Sequence, residues 1–220
     1  MGWREDVKIG TCRIDTLYLG TDNGGLGTQV TATPAELNIM DGVTATAAEI
    51  NGAADLSGQV MSSGGGFESG TGTLLKTAVR KTGAMVKTEV FFDLTGAKSS
   101  TTDLDIIGES ATLAAYLFQV TAAVNGTIVY GEMTCIETPA TGVTDIDVYS
   151  ATEATGKFDG GIAALAETAL LTKGGAWSAG VTRNIVAAPA ADQYVYLTCG
   201  AAGTVGTYTA GQFLLELWGY

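Results

Sequence analysis

From about Thr73 to the C-terminus, apolar and polar residues alternate in short runs bounded by Gly, Ser, Thr or Asp. Val86 to Leu94, Asp103 to Ile107, Asp145 to Tyr149, Gln193 to Thr198 and Gln212 to Trp218 each read as strands, because period-two alternation puts one set of side chains on a buried face. Asn125-Gly126 supplies the positive φ angles of a type I′ turn and predicts a hairpin. A two-residue loop there sets Val124 against Thr127, Ala122 against Val129, Val120 against Gly131, Phe118 against Met133 and Tyr116 against Cys135. That gives one nearly apolar face, with Thr121 against Tyr130 and Gln119 against Glu132 on the other. Ile162 to Lys173, closed by Gly174-Gly175, fits a short amphipathic helix with Ile162, Leu165, Ala166, Ala169 and Leu170 on one stripe, and fits an irregular strand nearly as well. About eight strands at this spacing predict a mainly β domain, an antiparallel β-sandwich of jelly-roll type.

The N-terminal third has a different pattern. Thr31-Ala-Thr-Pro-Ala-Glu-Leu-Asn38 recurs as Thr44-Ala-Thr-Ala-Ala-Glu-Ile-Asn51, with Asp41-Gly42 between. Thr33 and Thr46 stand three residues before Glu36 and Glu49, the spacing of a reciprocal helix cap, and Pro34 falls where a first helical residue needs no N–H. Each unit therefore reads as a short helix. A single turn of helix does not stand alone in water, so Leu37, Met40 and Ile50 need cover. Symmetric self-association supplies it most economically, three copies closing around an axis; folding back onto the chain's own β-domain is the alternative. The expected organisation is an attachment segment over 1–30, a short-helix repeat and Gly-rich linker forming a trimerisation stalk over 31–72, and the β-sandwich over 73–220.

Composition narrows the function. Across 220 residues, 46% are apolar, which suffices for a real core, and 31 glycines with few aromatics suit β architecture. With 11 basic and 23 acidic residues the net charge is −12, which opposes binding to nucleic acid or an anionic bilayer. Lys76, Arg80, Lys81 and Lys87 read as a solvated strand edge or a contact with an acidic neighbour. No apolar run is long enough to span a bilayer and the first residues lack a signal-like stretch, so the expectation is a soluble, unprocessed chain. Cys12, Cys135 and Cys199 lack disulfide or zinc spacing and read as buried thiols.

Candidate chemistry is sparse. The chain contains 0 histidines, which removes the usual partner of a Ser or Cys nucleophile. Asp103, Asp105, Asp145 and Asp147 are the available carboxylates for glycoside hydrolysis, but each pair also reads as the polar face of a half-buried strand. The same Asp-x-Asp pairs offer oxygen ligands to calcium without the rest of an EF-hand loop, so no metal is assigned. Gly24-Gly25-x-Gly27 and Gly64-Gly-Gly66 carry no phosphate-loop pattern and read as hinges or linkers. No catalytic residue and no cofactor is assigned, and a non-enzymatic role is expected.

The doublet at 31–38 and 44–51, with Met40-Asp-Gly-Val43 between, resembles the "TATAAELN…DGV" repeats of tailed-phage head-decoration, head-fibre and tail-fibre proteins. Gly72 to Val79, Phe91 to Gly96 and Thr102 to Gly108 are similar to a β-domain found among marine phage virion proteins. The resemblance implies a homotrimer on the virion surface, made in the bacterial host cytoplasm, its N-terminal part attaching and its β-domain projecting. Two repeat units give only a short stalk, which suits a capsid decoration or cement protein on the phage major capsid protein better than a long fibre. Trp3, Ile9, Ile14, Leu17, Tyr18 and Leu19 are then the expected capsid contacts, since they put unusual apolar content on an extension. A fibre whose β-domain binds a receptor or glycan is the alternative, with Trp177, Tyr194, Tyr196, Tyr208, Trp218 and Tyr220 as candidate stacking residues.

Overall fold

The computed structural model describes residues 18–19, 28–29, 61–68, 74–203 and 205–220. The chain divides into two compact units, Met1–Ile50 and Asn51–Tyr220. In the first, β1 (Tyr18–Leu19) pairs antiparallel with β2 (Thr28–Gln29), Tyr18 opposite Gln29. The doublet expected as short helices, with Leu37, Met40 and Ile50, lies outside the described residues, as do Trp3, Ile9, Ile14 and Leu17.

The second unit is mainly β. Its strands are β3 (Leu74–Thr82), β4 (Met85–Asp93), β5 (Lys98–Ser99), β6 (Phe118–Gln119), β7 (Ile128–Ala140), β8 (Ile146–Ala151), β9 (Glu167–Leu171), β10 (Thr182–Asn184), β11 (Tyr194–Cys199), β12 (Gly206–Thr207) and β13 (Ala210–Gly219). Among the described residues, helical structure amounts to α1 (Gly65–Glu68), α2 (Ala122–Asn125) and a 3-10 turn, Ile162–Leu165. A five-stranded antiparallel sheet runs β10-β7-β13-β4-β3, a four-stranded one β6-β11-β8-β9, and β5 pairs with β12. The pairings are nested: β4 with β13, β6 with β11, β7 with β10 and β8 with β9. Early strands thus meet late ones, and β7–β13 and β8–β11 join the nested pairs into the two sheets.

One hydrophobic cluster draws on both sheets. Val90, Phe92, Met133, Phe213 and Leu215 come from the five-stranded sheet, and Ile146, Val148, Leu170, Val195 and Leu197 from the four-stranded one. At its centre Phe213 stacks on Phe92 at 5.3 Å and meets the edge of Trp177 at 5.5 Å. Burying the three rings supplies several kcal/mol, roughly 3–5 for each aromatic by truncation. The indole is not left wanting, since Trp177 Nε1 donates to the Ile146 carbonyl at 2.8 Å.

The sheets differ on their other faces. In β4 and β13 burial alternates residue by residue, whereas all six residues of β8 and the last five of β11 are buried. The outer face of the four-stranded sheet is roofed by Ile106, Ala115 and Tyr116 and by Ile162 and Leu165 of the 3-10 turn, which pack on Tyr149, Ala151 and Tyr196.

Three local expectations are corrected. The Asn125-Gly126 hairpin is absent: β6 pairs with β11, and 122–125 form one turn of helix. Asn125 turns its side chain inward instead, its Oδ1 accepting from Thr121 N at 2.8 Å and its Nδ2 donating to Thr88 Oγ1 at 2.9 Å. Gly126 has φ 66° and ψ −160°, so only its φ fits a type I′ turn. A two-residue hairpin loop occurs at Gly83-Ala84, where Thr82 pairs with Met85 and Gly83 has φ 62°. The stretch from Ile162 is a 3-10 turn ended by Ala166 at φ 51° and followed by β9, so the strand alternative describes its second half. Asp103 to Ile107 is not a regular strand: Leu104 has φ 65°, leaving isolated bridges from Asp105 to Gly161 and Ile106 to Thr198.

The glycine run expected as linker is docked on the β-domain. Gly64 N donates to the Tyr116 carbonyl and Gly66 N to the Ala114 carbonyl, at 2.8 and 2.7 Å, and Phe67 is buried against Phe92. Glycine allows this backbone approach, because a Cβ at 64 or 66 would strike the carbonyls of Ala114 and Leu113.

Candidate functional site

Of the aromatics offered as stacking residues, Trp177, Tyr196 and Tyr208 are fully buried and cannot meet a ligand. The Tyr208 hydroxyl donates to the Val143 carbonyl at 2.6 Å, and burial raises its pKa. Tyr194 and Trp218 are half-buried and Tyr220 is exposed. Tyr18 and Leu19 are placed only as strand residues, and the other expected attachment and self-association residues lie outside the described part.

Two surfaces carry unused polar chemistry. The first is the outer face of the five-stranded sheet, where cross-strand register sets Trp218 between Lys87 and Tyr130, and Glu216 between Glu89 and Glu132. Three carboxylates in a row are unfavourable unless bridged. Lys87 Nζ bridges two of them, pairing with Glu216 and with Glu89 Oε1, while lying 5.1 Å from the Trp218 ring centroid. The Glu216 hydrogen bond leads in raising the Lys87 pKa. Burial pushes the Glu89 carboxyl up, but the hydrogen bond and charge of Lys87 and the nearby Arg80 outweigh it and hold the pKa below the usual range. Tyr130 Oη lies 3.0 Å from Glu132 Oε2 and 3.0 Å from Asn184 Oδ1, and its ring tilts over Trp218 at 5.2 Å. Sequence reasoning missed Tyr130 because the expected hairpin gave it no aromatic neighbour.

The second surface is an acidic strand end. Asp145, just before β8, and Asp147 within it share one face, and Gly200 and Thr198 stand opposite them on the β11 side, with Gly200 N donating to the Asp145 carbonyl at 2.8 Å and Thr198 in register with Asp147. Across the next turn Ser100 Oγ lies 2.6 Å from Asp105 Oδ2 and 2.6 Å from Asp159 Oδ1. Among the described residues no lysine or arginine forms an ion pair with these carboxylates or with Asp103. Burial pushes Asp147 up to about 6 against a 2.7 Å hydrogen bond from Lys173 N to Oδ1, and the charges of Asp145 and Asp103 add to the rise. The half-buried polar face expected for this pair is instead buried, with Asp145 8% and Asp147 5% exposed, because the sheet is roofed.

The remaining groups offer little for bond-making. Cys135 and Cys199 are buried free thiols, and burial raises Cys199 to about 11, which keeps it protonated and a poor nucleophile at neutral pH. Among the described residues no three His, Cys, Asp or Glu side chains converge as a metal cage, and no helix is long and apolar enough to cross a membrane. Compared with protein-family models, curated proteins and solved structures, the chain matches none of them.

Proposed function

We propose that this chain is a non-enzymatic, homotrimeric structural protein of a tailed-phage virion that decorates the capsid and cements contacts between major capsid subunits. The carrying observation is the Thr31–Asn38 and Thr44–Asn51 doublet with its resemblance to phage virion repeats. The nested strand order supports the reading, since it is the order expected of a jelly roll, an architecture found in viral capsid and lectin domains. Fold alone does not assign function. Here it adds a rigid module with one covered sheet and one bare sheet face, suited to stand on a particle.

In this reading residues 1–30 attach through Trp3, Ile9, Ile14, Leu17, Tyr18 and Leu19, and Leu37, Met40 and Ile50 close the trimer. Three tethered copies strengthen a weak footprint by roughly two to four orders of magnitude through effective concentration. The test is co-sedimentation of purified protein with undecorated capsids, alongside a solution mass measurement. The full chain is expected as a trimer that pellets with capsids, and a chain lacking 1–30 is expected to stay in the supernatant. A monomer that ignores capsids contradicts the proposal.

A second reading, a short head or tail fibre binding a host glycan, is favoured by the Tyr130–Trp218 pair with Glu132 and Asn184 beside it. Stacking rings flanked by hydrogen-bonding groups are what sugar recognition uses. Glycan-array binding abolished by Trp218→Ala, without loss of fold, supports this reading over the first.

A further inference from the structure

We infer that Asp145, Asp147 and Thr198 form a binding site for a hard divalent cation of the calcium class at the end of the four-stranded sheet. The geometry begins with period-two alternation, which turns Asp145 and Asp147 to one face. Opposite them lie Gly200 and Thr198, the latter on the same outward face as Tyr196. Both carboxylates close against Gly200, as only glycine allows: a Cβ built there would stand 2.9 Å from Asp145 Oδ1 and 2.9 Å from Asp147 Oδ1. The two oxygens therefore converge on one small volume.

The independent observation is what those oxygens lack. Asp145 Oδ1 is buried without a hydrogen-bond partner, and so is the hydroxyl of Thr198, a residue 0% exposed. Buried polar atoms are normally satisfied, and an ionised carboxylate oxygen and a hydroxyl oxygen both carry lone pairs that a cation can accept. A cation satisfies both at once, and it offsets the repulsion that Asp145 and Asp103 exert on Asp147. Lys173 N already fixes Asp147 through Oδ1 at 2.7 Å. All donors are oxygens, which selects hard cations over zinc or copper. Two carboxylates and a hydroxyl leave the rest of a shell of about 6–8 ligands to carbonyls and water, so affinity falls in the class of extracellular modules, about 10⁻⁴–10⁻³ M. The consequence is a clasp joining the ends of β8 and β11, and it does not depend on the virion reading.

Thermal unfolding and titration calorimetry of the full chain, stripped with chelator and then titrated with calcium chloride, test the site. Wild type is expected to bind one calcium and, at a hundredfold excess over Kd, to gain about 5 °C in midpoint. Asp145→Asn and Asp147→Asn are expected to lose the binding heat and the gain, yet to unfold in chelator no lower than wild type, because removing one charge relieves repulsion. Asp192→Asn, an exposed carboxylate elsewhere, is expected to keep both. Absence of calcium heat and of a midpoint shift in wild type overturns the site, as does an undiminished response in both Asp145→Asn and Asp147→Asn.

Discussion

The two sheets share a core but treat their second faces oppositely. On the five-stranded sheet the outer face stays wet, so Lys87, Glu89, Glu216 and Trp218 alternate with Val86, Val90, Phe213 and Leu215 in the manner of an ordinary half-buried sheet. On the four-stranded sheet a roof built from residues 104–116 and 162–165 buries the outer face as well. The same amphipathic alternation therefore has different consequences. Polar side chains on the first sheet form solvated ion pairs, while Asp147 and Thr198 on the second must find partners indoors. Asp147 does, its Oδ1 accepting from Lys173 N at 2.7 Å, but the Thr198 hydroxyl has none among the described residues.

Truncating one aromatic on each outer face should break this comparison most visibly. Tyr196 is fully buried and its hydroxyl donates to the Glu153 carbonyl at 2.7 Å, so Tyr196→Ala is expected to destabilise by about 3–5 kcal/mol. Trp218→Ala, on the wet face, is expected to cost about 1–2 kcal/mol, since its ring is only partly covered. Denaturant unfolding of the two variants checks this, and equal losses would mean that the roof does not pack as described.

Asn125→Ala probes the turn that replaced the expected hairpin. It leaves Thr121 N and Thr88 Oγ1 without their partner, so a loss of about 1–3 kcal/mol is expected from the same measurement. A neutral result would return the segment to an ordinary surface turn.

Acid should act with opposite sign on the two sheets. Asp147, raised to about 6 when folded, opposes folding most when ionised; protonation as pH falls from 7 toward 4 relieves that opposition. Glu89, lowered when folded, contributes stability above its unfolded pKa that is lost as pH falls through its folded value. In chelator, Asp147→Asn is thus expected to unfold at higher temperature than wild type at pH 8 and at nearly the same temperature at pH 4. Glu89→Gln is expected to narrow its deficit at low pH. Midpoints measured from pH 4 to 8 decide both.

The smallest effect belongs to Lys87→Met. Its ion pairs sit on a solvated face, so a change of about 0–1 kcal/mol is expected, shrinking further in high salt.

How much of this was readable beforehand follows from the same contrast. β4 and β13 announce themselves because one face is wet, and the runs expected at 86–94 and 212–218 nearly coincide with Met85–Asp93 and Ala210–Gly219. β8 and β11 were found as strands, but the burial of Asp145 and Asp147 was not, because the roof comes from segments distant in sequence. The Asn125-Gly126 signal failed because a buried side-chain hydrogen bond to Thr88 outweighed a local turn preference. The two-residue hairpin loop that the fold does use, Gly83-Ala84 between β3 and β4, was not singled out in the sequence. Gly64 and Gly66 read as flexible by composition, yet serve close packing that only the three-dimensional neighbour reveals.

The functional account stands or falls on where the chain sits in a particle. Electron imaging of the intact virion, with the β-domain fitted to the density, is expected to show trimeric knobs across the head, with residues 1–30 against the capsid floor. Density for the chain at the tail alone, or none on the particle, would contradict the decoration role.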